Sequence, residues 1–76
     1  MKADLTVNAT GLSCPMPVLK TKKALDILSA GKTLLVETTD PSTRADIPQL
    51  VKRLGHELVE KTEQGGVFSF YILKKR

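Results

Sequence analysis

The sequence has one cysteine, Cys14, one histidine, His56, and no tryptophan. A lone cysteine excludes an internal disulfide and any two-cysteine redox motif. Cys14 and His56 together fall short of the roughly four ligands that a structural zinc site needs, so neither metal nor cofactor is expected. Aromatic residues are scarce as well: Phe68, Phe70 and Tyr71 stand in one C-terminal stretch. Their spacing suits packing on a sheet better than a platform for stacked bases, which argues against direct nucleic-acid binding. Long apolar runs are missing too. Met1 is followed by Lys2 and Asp4, and no segment reads as a signal peptide or a membrane span. The expected compartment is the cytoplasm, where a thiol stays reduced.

What is present fits one small folded unit. The 76 residues are 41% hydrophobic and 26% charged, an ordinary globular balance, and predict a single domain over residues 1–76. Chains this short bury a smaller share of their surface than larger domains do. Chemistry is therefore expected at the surface, completed by a partner protein, rather than in a deep private cavity. The formal charge of +4 has two readings: attraction to an acidic protein or nucleic acid, and plain solubility.

Leu5-Thr6-Val7 alternates with polar neighbours and predicts a first strand ending near Asn8, with Gly11 in the turn beyond it. Pro15 to Ala30 follows a helical period. At about 100° per residue, Val18, Thr21, Ala24, Leu25 and Leu28 share one face, and Gly31 is the expected C-terminal cap. Thr33 to Thr39 is rich in β-branched and aliphatic residues, and its Leu34-Leu35-Val36 run predicts a central or doubly buried strand. Asp40-Pro41-Ser42 is a turn that opens a second helix, with Ile47, Leu50, Val51 and Leu54 as its buried stripe and Gly55 at its end. Pro48 would disrupt the interior of that helix. Asp46 as the cap of the main helix would bring Pro48 into the first turn, where proline is tolerated.

Two further strands, Glu57 to Thr62 and Val67 to Leu73, flank Glu63-Gln64-Gly65-Gly66, a hairpin-like turn signal. The tail Lys74-Lys75-Arg76 is expected to be solvated. The order β-α-β-α-β-β predicts an α+β, two-layer sandwich, a four-stranded mixed sheet with two helices on one face. The first two strands, linked through a helix, should be parallel, and the last two antiparallel.

Cys14 precedes Pro15, and proline suits the first position of a helix because no amide donor is needed there. Cys14 then falls at or beside the N-cap. Unpaired N–H groups and partial positive charge at a helix start favour a thiolate over a thiol, and the thiolate is the nucleophilic form. Pro15 and Pro17 lack N–H groups, so remaining amides, such as that of Met16, would stabilise the anion. The prolines stiffen the segment, and Lys20, Lys22 and Lys23 are expected to add positive charge around the sulfur. The competing reading is a small buried hydrophobe, inert and chosen for packing. Gly11 and the flanking prolines favour an exposed turn at a helix entrance.

Gly11-Leu12-Ser13-Cys14-Pro15-Met16-Pro17, then Lys22-Lys23-Ala24-Leu25, resembles the signature of the TusA-like (also called SirA-like) sulfur-carrier family. Asp40-Pro41, Asp46-Ile47 and Gly55-His56-Glu57 fall where that family has its second helix and following strand, so the likeness runs from about Leu5 to Lys75. The resemblance implies a β-α-β-α-β-β two-layer fold in which Cys14 is the sulfur-accepting residue and Gly11, Leu12, Pro15 and Pro17 position it. It also implies sulfane sulfur taken from a cysteine desulfurase or rhodanese and passed to another protein thiol. Roles in the family include relays for tRNA thiolation, molybdenum-cofactor metabolism and sulfur oxidation. One departure is Asn8, where many members carry Asp before the Gly-Leu pair.

Thiol–disulfide-type exchange agrees with a carrier, because a single cysteine suffices to receive and release one sulfur. No second ionisable group stands near Cys14 in sequence, so the partner enzymes would supply acid and base. Asp40 and Asp46 are expected to serve turn and cap, and His56 to be a surface or helix-end residue. Met16, Leu19, Lys20, Lys23 and Ile27 share the helix face away from the core stripe and, with Lys22, form a candidate docking surface. A monomer suits a shuttle. The alternative function is a regulatory protein-interaction module without sulfur transfer.

Overall fold

The computed structural model describes residues 3–76, so Met1 and Lys2 of the N-terminal reading lie outside the described residues. Its elements are β1 (Leu5–Ala9), α1 (Met16–Ile27), β2 (Thr33–Thr38), α2 (Thr43–Leu54), β3 (Glu57–Gln64) and β4 (Val67–Leu73). All four strands form one sheet in the order β1-β2-β4-β3. β1 and β2 are parallel, while β2–β4 and β3–β4 are antiparallel. The fold is the α+β sandwich expected from the pattern, with β2 in an interior position.

Alternation along the inner strands decides which face is covered. Leu34, Val36 and Thr38 of β2 lie opposite Ile72, Phe70 and Phe68 of β4, and all are buried. Ala24 and Leu25 of α1 and Ile47 and Val51 of α2 join the same core, so both helices lie on that one face. Val18, Leu28 and Leu54 pack on the rim of this core as partly buried residues. Thr21, fully buried, satisfies its hydroxyl on the Pro17 carbonyl at 2.8 Å. Leaving that hydroxyl unpaired in the core would cost about 1–3 kcal/mol.

Helix boundaries differ from the periodic reading. α1 starts at Met16, with Pro15 just outside it and Pro17 inside the first turn, buried. It ends at Ile27, because Leu28 turns to extended backbone while its amide still donates to Ala24 O at 3.1 Å. Gly31 is therefore not the cap. At φ +88° it turns the chain into β2, and its amide donates to Lys74 O at 2.7 Å. α2 starts earlier than an Asp46 cap would allow, at Thr43, and holds Pro48 in its interior. The Asp40 turn opens it, with Thr43 N on Asp40 O and Asp46 N on Ser42 O, at 3.0 and 3.1 Å. Pro48 then leaves one helical carbonyl without its usual donor. Gly55 closes α2 in the left-handed region, φ +81°, as expected.

β3 and β4 are joined through Gly65 and Gly66, both at positive φ, the two-residue hairpin that glycine pairs favour. β3 runs two residues further than expected, to Gln64, with a register shift between Leu58 and Glu60. It is an edge strand, almost wholly exposed and rich in charge, which discourages pairing with another chain. Lys75 and Arg76 of the tail are exposed, as expected, but Lys74 is half-buried and all three have partners. Lys74 Nζ bonds the Leu25 carbonyl, Lys75 pairs with Glu57 at 3.1 Å, and Arg76 lies over Gly55. Among the described residues no helix is long and apolar enough to cross a membrane.

Candidate functional site

Parallel pairing of β1 with β2 brings their C-terminal ends together, Ala9 beside Thr38. The loops that follow them therefore meet. Asn8 begins the first loop by accepting the Thr10 amide and hydroxyl at 3.0 and 2.6 Å, a local turn bond that an Asx side chain makes. Gly11, at φ +79°, donates its amide to Thr39 Oγ1 at 2.8 Å. Leu12, half-buried, donates to Ala9 O at 3.3 Å. The Cys14 amide reaches across to Asp40 Oδ2 at 2.7 Å. The Cys14–Pro15 peptide is cis. Thus the cysteine loop is pinned to the β2–α2 connection at Thr39 and Asp40.

Cys14 is exposed, as the turn reading required, and its thiol is free. One expectation about its immediate backbone fails. The Met16 amide, expected to stabilise the sulfur anion, is occupied by Ser13 O at 2.9 Å. No ionisable group is close to Cys14 in sequence, but the fold brings Asp46 alongside: its Oδ2 lies 3.9 Å from Cys14 Sγ and accepts its S–H. Cys14, Pro15 and Val18 line one wall of a groove of about 230 Å³, and Asp46, Gln49, Leu50 and Arg53 of α2 line the other.

The lysines sit elsewhere. Lys20 and Lys23 line a second groove, about 420 Å³, with Ile27, Ala24 and residues of β1, and neither they nor Lys22 line the one at Cys14. The basic residue that lines the Cys14 groove is Arg53 of α2 instead, a residue that the spacing of the cysteine motif gave no reason to single out. Met16, Leu19 and Ile27 are 43%, 46% and 78% exposed, so α1 presents apolar surface between its lysines, as the helical period predicted.

Asp40 has two partners besides its role in the turn. Its carboxyl is held below the ordinary carboxylate value, first by the Ser42 amide and hydroxyl and then by the Cys14 amide, all of which favour the ionised form. His56 does not line the groove. Its Nδ1 accepts the Lys75 amide at 3.2 Å, and its pKa is lowered by burial, then by the charges of Lys74 and Arg76. Among the described residues no three of His, Cys, Asp and Glu gather where a metal ion would bind.

With an exposed cysteine at the mouth of a helix–helix groove, comparison with known proteins becomes specific. The sequence profile of the family described as sulfurtransferase TusA matches residues 5–74. The chain belongs to the TusA family. A sulfur carrier protein TusA from Pseudomonas entomophila (strain L48) is 49% identical, covering 95% of this chain and 90% of that protein. A sulfur carrier protein TusA from Pseudomonas aeruginosa (strain LESB58) is 47% identical over 95% of this chain and 91% of that one. The crystal structure of a SirA-like protein from Desulfitobacterium hafniense superposes with a TM-score of 0.82 at 28% identity, covering 95% of this chain and 99% of that chain. The TusA-family assignment agrees with the resemblance first seen in the cysteine motif, and the SirA-like structure has the same architecture.

Proposed function

We propose that this chain is a sulfur carrier that holds sulfane sulfur as a persulfide on Cys14. The observation that carries the reading is the exposed Cys14 thiol, fixed by its own amide to Asp40, in a chain of the TusA family. Loading is thiolate attack on a donor persulfide, and delivery is the same exchange in reverse with another thiol. The shuttle needs no deep pocket, because each partner encloses the sulfur when docked. Gly11 and Asp40 orient the loop, Leu12 and Pro17 anchor it on the core side, and Pro15 stiffens the turn.

The donor is a cysteine desulfurase or a rhodanese. The acceptor is a protein thiol in tRNA thiolation, molybdenum-cofactor metabolism or sulfur oxidation. The chain works as a single-domain cytoplasmic monomer. Met16, Leu19, Lys20, Lys22 and Lys23 form the docking face, where exposed apolar atoms give contact area and the lysines favour an acidic partner.

Intact-mass measurement after incubation with a desulfurase and free cysteine tests the reading. The wild type is expected to gain one sulfur, and Cys14→Ser none. A wild type that stays unmodified with desulfurase and rhodanese donors alike would remove the carrier function.

A further inference from the structure

From Cys14 to Pro17 no backbone donor is free: the Cys14 amide goes to Asp40, the Met16 amide goes to Ser13, and Pro15 and Pro17 have none. Among the described residues the one polar side chain that bonds Cys14 Sγ is Asp46, at 3.9 Å. The role expected for Asp46, capping α2, is filled by the Asp40 turn, and its carboxylate makes no ion pair and no second side-chain bond among the described residues. Asp46 is half-buried on the groove wall, in the first turn of α2, so its backbone is held by the helix. A fixed carboxylate aimed at a nucleophilic sulfur, with no structural task of its own, is placed to handle that sulfur's proton.

We propose that Asp46 is a catalytic residue of the transfer, a reading that rests on sulfur carriage by Cys14. On loading, the Cys14 S–H proton passes to the Asp46 carboxylate as Sγ attacks the terminal sulfur of the donor persulfide. A new S–S bond forms to Sγ, the donor's S–S bond breaks, and the donor's inner sulfur leaves as a thiolate. The proton then passes from Asp46 to solvent. On delivery, an acceptor thiolate attacks the terminal sulfur, the bond to Sγ breaks, and Sγ leaves with the electron pair and takes up a proton from solvent by way of Asp46. Sγ is oxidised to the persulfide level as the donor sulfur is reduced, so no outside oxidant takes part.

The test is single-turnover loading by glutathione persulfide, followed by intact mass from about pH 6 to about pH 10, a range that brackets the free thiol's titration. Wild type, Asp46→Asn, Asp46→Glu and Cys14→Ser are compared, with thermal melts confirming that each variant is folded. Asp46→Asn is expected to load about tenfold more slowly near neutral pH, at the modest end for acid–base catalysis because solvent reaches the site. The deficit should narrow toward the alkaline end of the range, where hydroxide in solvent replaces the carboxylate as base, and Asp46→Glu should recover part of the rate. Equal neutral rates for Asp46→Asn and wild type, or a deficit unchanged at every pH, would overturn the role of Asp46 while leaving carriage intact. A wild type that gains no sulfur at any pH would overturn carriage itself, and the role of Asp46 with it.

Discussion

At the residue scale, the site is a set of contacts between the cysteine loop and the β2–α2 connection. Asp40 is the hinge of that set, because one carboxylate accepts both the Ser42 amide, at 3.1 Å, and the Cys14 amide, at 2.7 Å. These bonds hold its folded-state pKa below the ordinary value of 3.8, so between the two values the unfolded chain binds the proton and the folded chain does not. The stability Asp40 provides is therefore full above that ordinary value and is lost as pH falls through the lower, folded one. Urea midpoints measured against pH should drop more steeply for wild type than for Asp40→Asn in this acid window. Parallel slopes would show that the carboxylate does not tether the loop. Cys14 and its motif were legible in the sequence because Gly11, Pro15 and Pro17 shape a local turn. The contacts at Thr39, Asp40 and Asp46 were not, since they join residues 26 to 32 positions apart. The one available signal was topological: parallel β1 and β2 oblige the loops after them to be neighbours.

At the element scale, the junction of β2 with α2 supports the floor of the site. Thr38 and Thr43 share a buried hydroxyl bond of 2.9 Å, and Thr38 Oγ1 also accepts the Asp40 amide at 3.1 Å. Thr43 Oγ1 donates to Asp40 O at 2.6 Å, so Thr38 is the donor in the hydroxyl pair; replacing it by Val keeps the shape but removes that bond and leaves the Asp40 amide without its acceptor. We expect Thr38→Val to destabilise the fold by about 1–3 kcal/mol in urea unfolding. A change within the error of the measurement would mean the network is solvated. The strands were the best-predicted elements, because alternation of Phe68, Phe70 and Ile72 with half-exposed neighbours marks one covered face. Helix ends were poorer. Gly31 looked like a cap but serves the turn into β2, and Pro48 looked like a first-turn residue but sits inside α2. At Gly31 a long-range contact, its amide on the Lys74 carbonyl, outweighed local preference, while at α2 the local Asp40 turn starts the helix three residues ahead of Asp46.

At the scale of the whole molecule, α1 separates two surfaces. One side meets α2 and carries Cys14; the other meets edge strand β1 and carries Lys20 and Lys23. If the lysine face docks the donor, reversing both charges with Lys20→Glu and Lys23→Glu should slow loading by a desulfurase several-fold at low salt. Loading by glutathione persulfide should stay unchanged. Equal slowing with both donors would place the lysines in the chemistry instead. The element order and the mixed sheet followed from periodicity, since a chain of 76 residues with two helical stripes has few other ways to cover them. The anchoring of Lys74 did not, because it reads as solvated charge, like the exposed Lys75 and Arg76, until the strands and α1 bring the Leu25 carbonyl alongside.

The central claim is that one sulfur atom rides on Cys14 and can be handed on. Its most direct measurement is peptide mapping of the loaded protein before and after exposure to a purified acceptor thiol. An extra sulfur on the peptide containing Cys14, lost from it as the acceptor gains one, is the predicted result. An extra sulfur found on no peptide, or one on Cys14 that no thiol removes, would contradict the account.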